Sequence, residues 1–193
     1  MLIKFDAPKT GKWALYFDGC IVNDGVRIVD MRNDDNNMAY VCTRRVPRGG
    51  VRKTVEECDS TFIEGLTRRD DYEQILQKMM DHAIVIAVYY KNNLAGYASM
   101  YANDLKTRQA YISMFGIKKE YQRKHLGSIL MDKCCEIANQ SGMRWILLEV
   151  LKENVKGFKF YKKYGYIPTG KESEYSVYMK YGGLSNTTGE LKS

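Results

Sequence analysis

The sequence lacks the features that mark membrane, secreted and metal-binding proteins. It has no apolar run of the ~18 residues that a membrane-spanning helix needs. Its first residues, MLIKFDAPKTGKW, contain no apolar core of a secretory signal. It has only two histidines, which are too few for a histidine-based metal site, and no C-x-x-C spacing that would suggest zinc. We therefore expect a cytoplasmic protein with no membrane partner and no metal.

Cysteine is scarce and unpaired in its spacing. Five cysteines are present, and an odd number without regular spacing argues against a disulfide framework. Cys134 and Cys135 fall within a helical pattern, where we expect at least one to be a small core residue. These cysteines are therefore predicted to be structural rather than catalytic.

Positive charge is in excess, and it suggests which partners the protein attracts. The chain has 30 basic and 23 acidic residues and a formal net charge of +7, which attracts phosphate groups of any kind. Most of the basic residues alternate with acids, so we expect no nucleic-acid partner. The densest exception is RRVPRGGVRK, residues 44–53. We interpret it as a solvated loop, with substrate-phosphate binding as the alternative.

The periodicity of apolar residues predicts three regions. Residues 1–56 form short strands and turns of unassigned role, residues 57–181 form the main domain, and residues 182–193 form a polar, disordered tail. In the main domain the pattern predicts a helix, three strands, a helix, the apolar strand RWILLEV buried on both faces, a short helix and two strands. This order indicates an α/β fold in which the strands on either side of the central helix are parallel neighbours.

A concentration of basic residues precedes the central helix. Gln122, Arg123 and Lys124 stand just ahead of Gly127, where the apolar helical pattern begins. A helix start has unpaired N–H groups and a partial positive charge, so such a turn can bind an anion. A solvated basic helix start explains the same residues equally well. Because the turn lies between two strands predicted to be parallel, where α/β sheets bind ligands, we favour the anion site.

Two motifs in this region resemble the core of the GCN5-related N-acetyltransferase (GNAT) superfamily. The signature of that family, Gln or Arg followed by x-x-Gly-x-Gly or Ala, stands here as QRKHLG, Gln122–Gly127. The second block stands as Asn154 followed by FYKKYGY at residues 160–166. The resemblance covers residues 57–181 and implies a mixed, mainly antiparallel sheet with a central, splayed parallel strand pair and flanking helices. His125 occupies the usual place of the first glycine, and we expect it to have helical φ and to contribute only its amide.

The resemblance implies that the anion is the pyrophosphate of acetyl-CoA. Asn154 corresponds to a position that hydrogen-bonds the cofactor arm, and a backbone N–H at the strand bulge would polarise the thioester carbonyl. The strand edge beside the cofactor arm is carried over to Phe115, Gly116 and Ile117. The pyrophosphate turn is carried over to Gln122, Arg123, Lys124, His125, Leu126, Gly127 and Ser128.

The resemblance also implies direct attack of an amine on the acetyl thioester. Tyr161 matches the position that protonates the departing sulfur; a core aromatic is the alternative. An alkylamine has a pKa near ~10, so a base or a water chain must remove its proton. Glu149, an acid within an apolar strand, and Asp104, after the second hairpin strand, are the candidates. Either could instead be structural, Glu149 by pairing with a basic residue and Asp104 by capping a turn.

The acceptor is predicted less sharply than the donor. We expect a primary amine on a small molecule, such as an amino sugar or a sugar nucleotide, with Tyr97 and Tyr101 lining its pocket and the basic loop at residues 44–53 holding any anionic part. A peptide or protein amine is one alternative, and a catalytically silent acyl-CoA-binding module is another. The oligomeric state is open, with a homodimer as one possibility.

Overall fold

A computed structural model describes residues 16–17, 20–21, 26–31 and 39–184 of the chain, with side-chain surroundings from Thr43 onward. Most of the predicted polar tail and part of the predicted N-terminal strands therefore lie outside the described residues. Among the helices of the described ranges, none is long and apolar enough to cross a membrane.

Four strands come first in the described ranges. Two helices, three strands, a helix, a strand, a helix and two strands then follow. The strands are β1 (Tyr16–Phe17), β2 (Cys20–Ile21), β3 (Val26–Met31), β4 (Ala39–Arg45), β5 (Ile84–Tyr90), β6 (Asn93–Asp104), β7 (Gln109–Ile117), β8 (Trp145–Leu151), β9 (Ile167–Glu172) and β10 (Ser176–Tyr181). The helices are α1 (Val51–Cys58), α2 (Tyr72–His82), α3 (Leu126–Gln140) and α4 (Val155–Tyr164).

Eight strands form one mixed sheet in the order β3-β4-β5-β6-β7-β8-β10-β9, while β1 and β2 pair separately. Within the eight-stranded sheet, β7 and β8 are parallel and the other neighbours are antiparallel. The parallel pair is the one joined through α3, because a strand–helix–strand connection returns the second strand in the direction of the first. The predicted α/β fold with a mainly antiparallel sheet is confirmed.

Helices cover both faces of the sheet, and each does so with an apolar stripe. In α3, Leu130, Cys134 and Ala138 follow at helical spacing and are fully buried. They pack with α4 residues against β5 to β8 and β10. On the opposite face, α1 and α2 pack against β5 and β6. Cys58, Cys134 and Cys135 are free thiols, and Cys134 is a core residue, as expected of at least one of Cys134 and Cys135.

The prediction that RWILLEV is buried on both faces is wrong. In β8, Ile146, Leu148 and Val150 are buried against the α3 side, whereas Trp145 and Glu149 are exposed. The cluster formed by α1 and α2 takes in residues of β5, β6 and β7 but none of β8. The other face of β8 is therefore open, and this strand follows the alternating pattern of a half-buried strand.

Helix α1 was missed by the sequence interpretation. Residues 44–53 were interpreted as a loop, yet α1 begins at Val51 within that stretch. Val51, Thr54, Val55 and Cys58 are all buried, and their i, i+3, i+4, i+7 spacing was the available signal. The predicted domain boundary at residue 56 falls inside α1, and β4, which precedes it, pairs with β5 in the same sheet.

Candidate active site

A gap opens between β7 and β8, as the resemblance implied. The two strands pair only from Gln109↔Trp145 to Ile112↔Leu148, although β7 runs on to Ile117 and β8 to Leu151. A bulge lies where the pairing stops: Ser99 of β6 faces Met114 and Met100 faces Ile112, which leaves Ser113 as the extra residue. Phe115, Gly116 and Ile117 therefore present to the gap a strand edge that β8 does not occupy.

The turn before α3 lies at the mouth of this gap. Arg123 and His125 both have left-handed backbone conformations, with φ of 61° and 58°. The expectation that His125 has helical φ is therefore wrong: the chain reverses sharply here to start α3, and glycine is the residue that adopts this conformation without a β-carbon penalty. His125 is the N-cap residue and no side chain caps the helix, so the first amides of α3, Leu126 to Ser128, have no intrahelical acceptor.

The polar side chains of the turn have different tasks. Gln122 donates from its side-chain amide to the Ile117 carbonyl at 3.0 Å and so ties the turn to the end of β7. The Lys124 ammonium lies 5.1 Å from the centroid of the Tyr90 ring. The side chains of Arg123 and His125 are exposed. Together with the first backbone amides of α3, they are the groups of this turn that can bind an anion.

Two glycines next to the gap differ in what surrounds them. A β-carbon on Gly116 would come within 2.8 Å of Phe62 and Thr61, which lie over this part of β7 from the segment after α1. A β-carbon on Gly127 would meet Phe160 at 3.4 Å, an ordinary contact. Gly116 is thus needed for the close approach of the Thr61–Phe62 segment, whereas position 127 has room for alanine.

Tyr161 lies on the α3 side of the gap. It is 7% exposed and packs its ring against Phe115 at a centroid distance of 6.0 Å. Burial raises the pKa of its hydroxyl above the ordinary tyrosine value. Among the described residues, none hydrogen-bonds to that hydroxyl. The side chain is thus a protonated phenol beside the free edge of β7, and its role as an acid stays a prediction.

Glu149 lies on the opposite face of the sheet. It is the first residue of β8 beyond the last pair with β7, and its side chain is exposed. The Ser176 hydroxyl donates to its carboxylate, and the hydrogen bond between that carboxylate and the Tyr178 hydroxyl raises the pKa of Tyr178. The partners of Glu149 are therefore hydroxyl groups rather than a lysine or an arginine.

Asp104 is not brought to the gap. Asp104 faces Gln109 at the closed end of the β7–β8 ladder. Gln109 is six residues before Phe115, which is a distance of about 20 Å along an extended strand. Its carboxylate accepts hydrogen bonds from the backbone of Lys106 and from the backbone and hydroxyl of Thr107. These bonds lower the pKa of Asp104. The geometry is that of the turn cap weighed as the alternative in the sequence.

Asn154 begins α4 at the open end of β8. Its side-chain oxygen accepts a hydrogen bond from the Gly157 amide at 2.9 Å, which is an N-cap interaction. The oxygen is thereby committed to the helix, while the side-chain NH₂ group keeps the donors that could reach a ligand in the gap.

The open sheet face around Glu149 contains side chains that the sequence interpretation missed. Tyr111 is half-buried on β7, and its pKa is raised to about 12 by burial and by the nearby Glu149 carboxylate. Tyr178 lies directly opposite Glu149 on β10. Of the two tyrosines predicted to line an acceptor pocket, Tyr101 faces Tyr111, whereas Tyr97 is fully buried beneath Phe62. No local pattern predicts that Tyr111 and Tyr178 share this face with Glu149, because that depends on the register of β8 with β7 and β10.

Comparison with known proteins gives consistent results. The sequence profile of the acetyltransferase (GNAT) family matches residues 51–166. A Bacillus subtilis protein provisionally named ribosomal protein bS18-alanine N-acetyltransferase is 29% identical over 116 residues, which is 60% of this chain and 74% of that protein.

Solved structures share the fold at low identity. The PaiA N-acetyltransferase of Thermoplasma acidophilum, crystallised with coenzyme A, superposes with a TM-score of 0.62 at 17% identity over 74% of this chain and 99% of that one. The ribosomal-protein-S18-alanine N-acetyltransferase of Escherichia coli gives a TM-score of 0.61 at 14% identity over 80% of this chain and 99% of that one.

The gap, the amide-rich turn and the match over more than half of the chain lead to one assignment. The residues present fit acetyl-CoA, because an unpaired strand edge and uncapped helix amides meet at one mouth. This chain belongs to the acetyltransferase (GNAT) family, whose members take the acetyl group from acetyl-CoA.

Proposed function

We propose that this acetyltransferase acetylates the primary amine of a small molecule by direct attack on the thioester. The observation that carries the proposal is the placement of two groups on opposite faces of one gap. Tyr161 packs against Phe115 on the α3 side, and Glu149 leaves β8 on the open side. An acceptor on the open face and a donor on the α3 face would meet where β7 and β8 part.

The donor side would be held chiefly by backbone. The amides of Leu126 to Ser128 suit a pyrophosphate, because they converge at a helix start without a side-chain cap. The free edge at residues 115–117 suits the amide groups of an extended cofactor arm, as a strand edge suits any extended chain. Asn154 would add a side-chain N–H donor at the same end of the gap.

The proton balance uses the two side chains. The amine nitrogen forms the new C–N bond to the acetyl carbon, and the C–S bond breaks. Before the attack, the Glu149 carboxylate takes one proton from the ammonium, directly or through water, because only the neutral amine has a lone pair to attack with. A second proton leaves the nitrogen as the amide forms, and through water it replaces the proton that Tyr161 gives to the sulfur. The departing sulfur accepts a hydrogen bond or a proton from the Tyr161 hydroxyl. The raised pKa of Tyr161 keeps that hydroxyl protonated over the whole neutral range.

The open face favours a small cationic acceptor. The Glu149 carboxylate lies between tyrosines on the two neighbouring strands, Tyr111 on β7 and Tyr178 on β10. A carboxylate combined with aromatic ring faces attracts an alkylammonium group through charge and cation–π interactions. A peptide α-amine is the second candidate, and the relative named for bS18-alanine acetylation favours it.

The test is release of coenzyme A from acetyl-CoA across amino sugars, sugar nucleotides, polyamines and N-terminal peptides. We expect turnover with a small amine, and a fall in kcat of at least about 100-fold for Tyr161→Phe and for Glu149→Gln. The matched controls are Tyr175→Phe and Glu174→Gln, both on the exposed β9–β10 turn. Turnover of peptides alone would replace the small-molecule proposal. Heat from coenzyme A binding without turnover of any amine would favour the silent module.

A further inference from the structure

The open face of the sheet around Glu149 also carries positive charge. Lys180 of β10 pairs with Leu147 of β8, and Leu147 and Glu149 point to the same face because they are two residues apart on one strand. Tyr178 is directly opposite Glu149, so Lys180 is its diagonal neighbour, at a distance of about 7–8 Å. The side chains of Lys180 and Glu149 therefore lie close together on the open face.

Two lysines of this face are held against aromatic rings. The ammonium of Lys180 lies 5.1 Å from the centroid of the Trp145 ring, at the start of β8. The ammonium of Lys171, on β9, lies 4.5 Å from the centroid of the Tyr178 ring, which is the neighbour of Glu149. A cation is attracted to the face of an aromatic ring. Both ammonium groups are therefore kept over the open face rather than turned away from it.

The charges of this face do not neutralise one another. Within the described part of the chain, neither Lys171 nor Lys180 forms an ion pair with a carboxylate. Glu172, the acidic residue beside Lys171 in the sequence, is paired with Lys152 at 3.2 Å. The carboxylate of Glu149 has hydroxyl partners and, among the described residues, no basic one. The open face thus presents unpaired charges of both signs.

A simple alkylamine matches only part of this arrangement. Its ammonium group would be attracted by Glu149, but it would be repelled by the two lysines. Lys180 lies about 7–8 Å from Glu149, which is within roughly one Debye length at physiological ionic strength, so this repulsion is not fully screened. An acceptor with an anionic group several bonds from its amine would replace the repulsion by attraction, because each of its ends would meet the opposite charge.

We propose that the amine acceptor also carries an anionic group, with its ammonium end at Glu149 and its anionic end at Lys180 and Lys171. The proposal rests on the acceptor site inferred above and names the class of molecule that this site takes. The part of the acceptor between its two ends would lie over Leu147, which is half-buried on the same face of β8. The acceptor is therefore expected to be zwitterionic, with several bonds between its charges.

Calorimetry on the full chain saturated with coenzyme A tests the proposal with three probes, 6-aminohexanoate, hexylamine and 1,6-diaminohexane. They share one amine and a six-carbon chain, and they end in an anion, an uncharged methyl group and a cation. Lys180→Gln should weaken the binding of 6-aminohexanoate about threefold to fivefold, change that of hexylamine less than twofold and strengthen that of 1,6-diaminohexane. Lys171→Gln should act in the same directions.

Lys162→Gln is the matched control. Lys162 also lies over an aromatic ring, 5.9 Å from the centroid of Phe158, but it belongs to the exposed surface of α4. The charge removed is the same, so this variant should change the binding of each probe less than twofold. Thermal unfolding of every variant verifies that it is folded.

Three results would overturn the proposal. The first is the absence of heat with 6-aminohexanoate at millimolar concentration. The second is a change of the same sign for 6-aminohexanoate and 1,6-diaminohexane in Lys180→Gln, and the third is an equal effect of Lys162→Gln, which would indicate general charge attraction. Binding rather than turnover is measured, so the two proposals can fail separately. Selective binding of 6-aminohexanoate without acetylation of any amine would refute the proposed function and support this inference.

Discussion

Replacing His125 with glycine should stabilise the protein. His125 has φ of 58°, in the left-handed region where an L-residue with a β-carbon loses roughly 1–2 kcal/mol. Histidine is enriched in this region relative to most residues, so the lower end of that range applies. Glycine removes the penalty but loses about 0.5–1 kcal/mol more conformational entropy on folding. The net expected gain is up to about 0.5 kcal/mol in the free energy of unfolding.

Chemical denaturation measures this gain directly, and thermal unfolding should show a rise in Tm of up to about 2 °C for a protein of this size. Arg123→Gly, at φ of 61°, should act in the same direction. His82→Gly is the matched control: His82 ends α2, where glycine is an unfavourable helix residue, so this variant should lose about 0.5 kcal/mol. Equal destabilisation by His125→Gly and His82→Gly would refute the argument from backbone strain.

Three further predictions concern packing, capping and pH. Gly116→Ala should lower the free energy of unfolding by about 1–3 kcal/mol, because the new β-carbon would lie 2.8 Å from neighbouring side-chain atoms. Gly127→Ala should be neutral or stabilising, and equal losses by the two variants would contradict this packing. Asn154→Ala should remove the N-cap of α4 and lower the free energy of unfolding by about 1 kcal/mol, whereas Asn154→Ser should keep the cap. Both variants should raise the KM for acetyl-CoA if the side-chain NH₂ group contacts the cofactor. Burial raises the pKa of Tyr161 and Tyr166, so as the pH rises the unfolded state loses these protons before the folded state does. The free energy of unfolding should therefore fall above about pH 10, by up to about 1.4 kcal/mol per pH unit for each tyrosine. A stability that does not change with pH up to pH 12 would argue against their burial.

Local patterns predicted most of the elements of the main domain. Residues near in sequence set the stripe of α3, the β5–β6 hairpin and the stop of α4 at Gly165, whose φ is 108°. The sequence interpretation failed at α1 and at the exposed face of β8. A glycine-rich stretch concealed the short helix, and whether a strand is covered on one face or two depends on where distant helices pack.

The candidate site divides in the same way. The motif residues from Gln122 to Gly127 could be placed at a helix start from the sequence, since an anion-binding turn is a local structure. The φ of His125 was predicted wrongly, because a residue with a β-carbon rarely adopts the left-handed conformation that this turn has. Asp104 and Glu149 could not be separated by sequence, because each is an acid near the end of a strand. Only the register of β6, β7 and β8 shows that one lies beside the gap and the other about 20 Å away.

The sequence by itself determined the family, the order of helices and strands, and the identity of the amide-rich turn, because these depend on periodicity and on motifs within about 20 residues. The tertiary structure alone decided that β7 and β8 part after Ile112 and that Tyr161 and Glu149 flank the gap from opposite faces. Such relations depend on strand register and on helix packing, which bring together residues far apart in the chain.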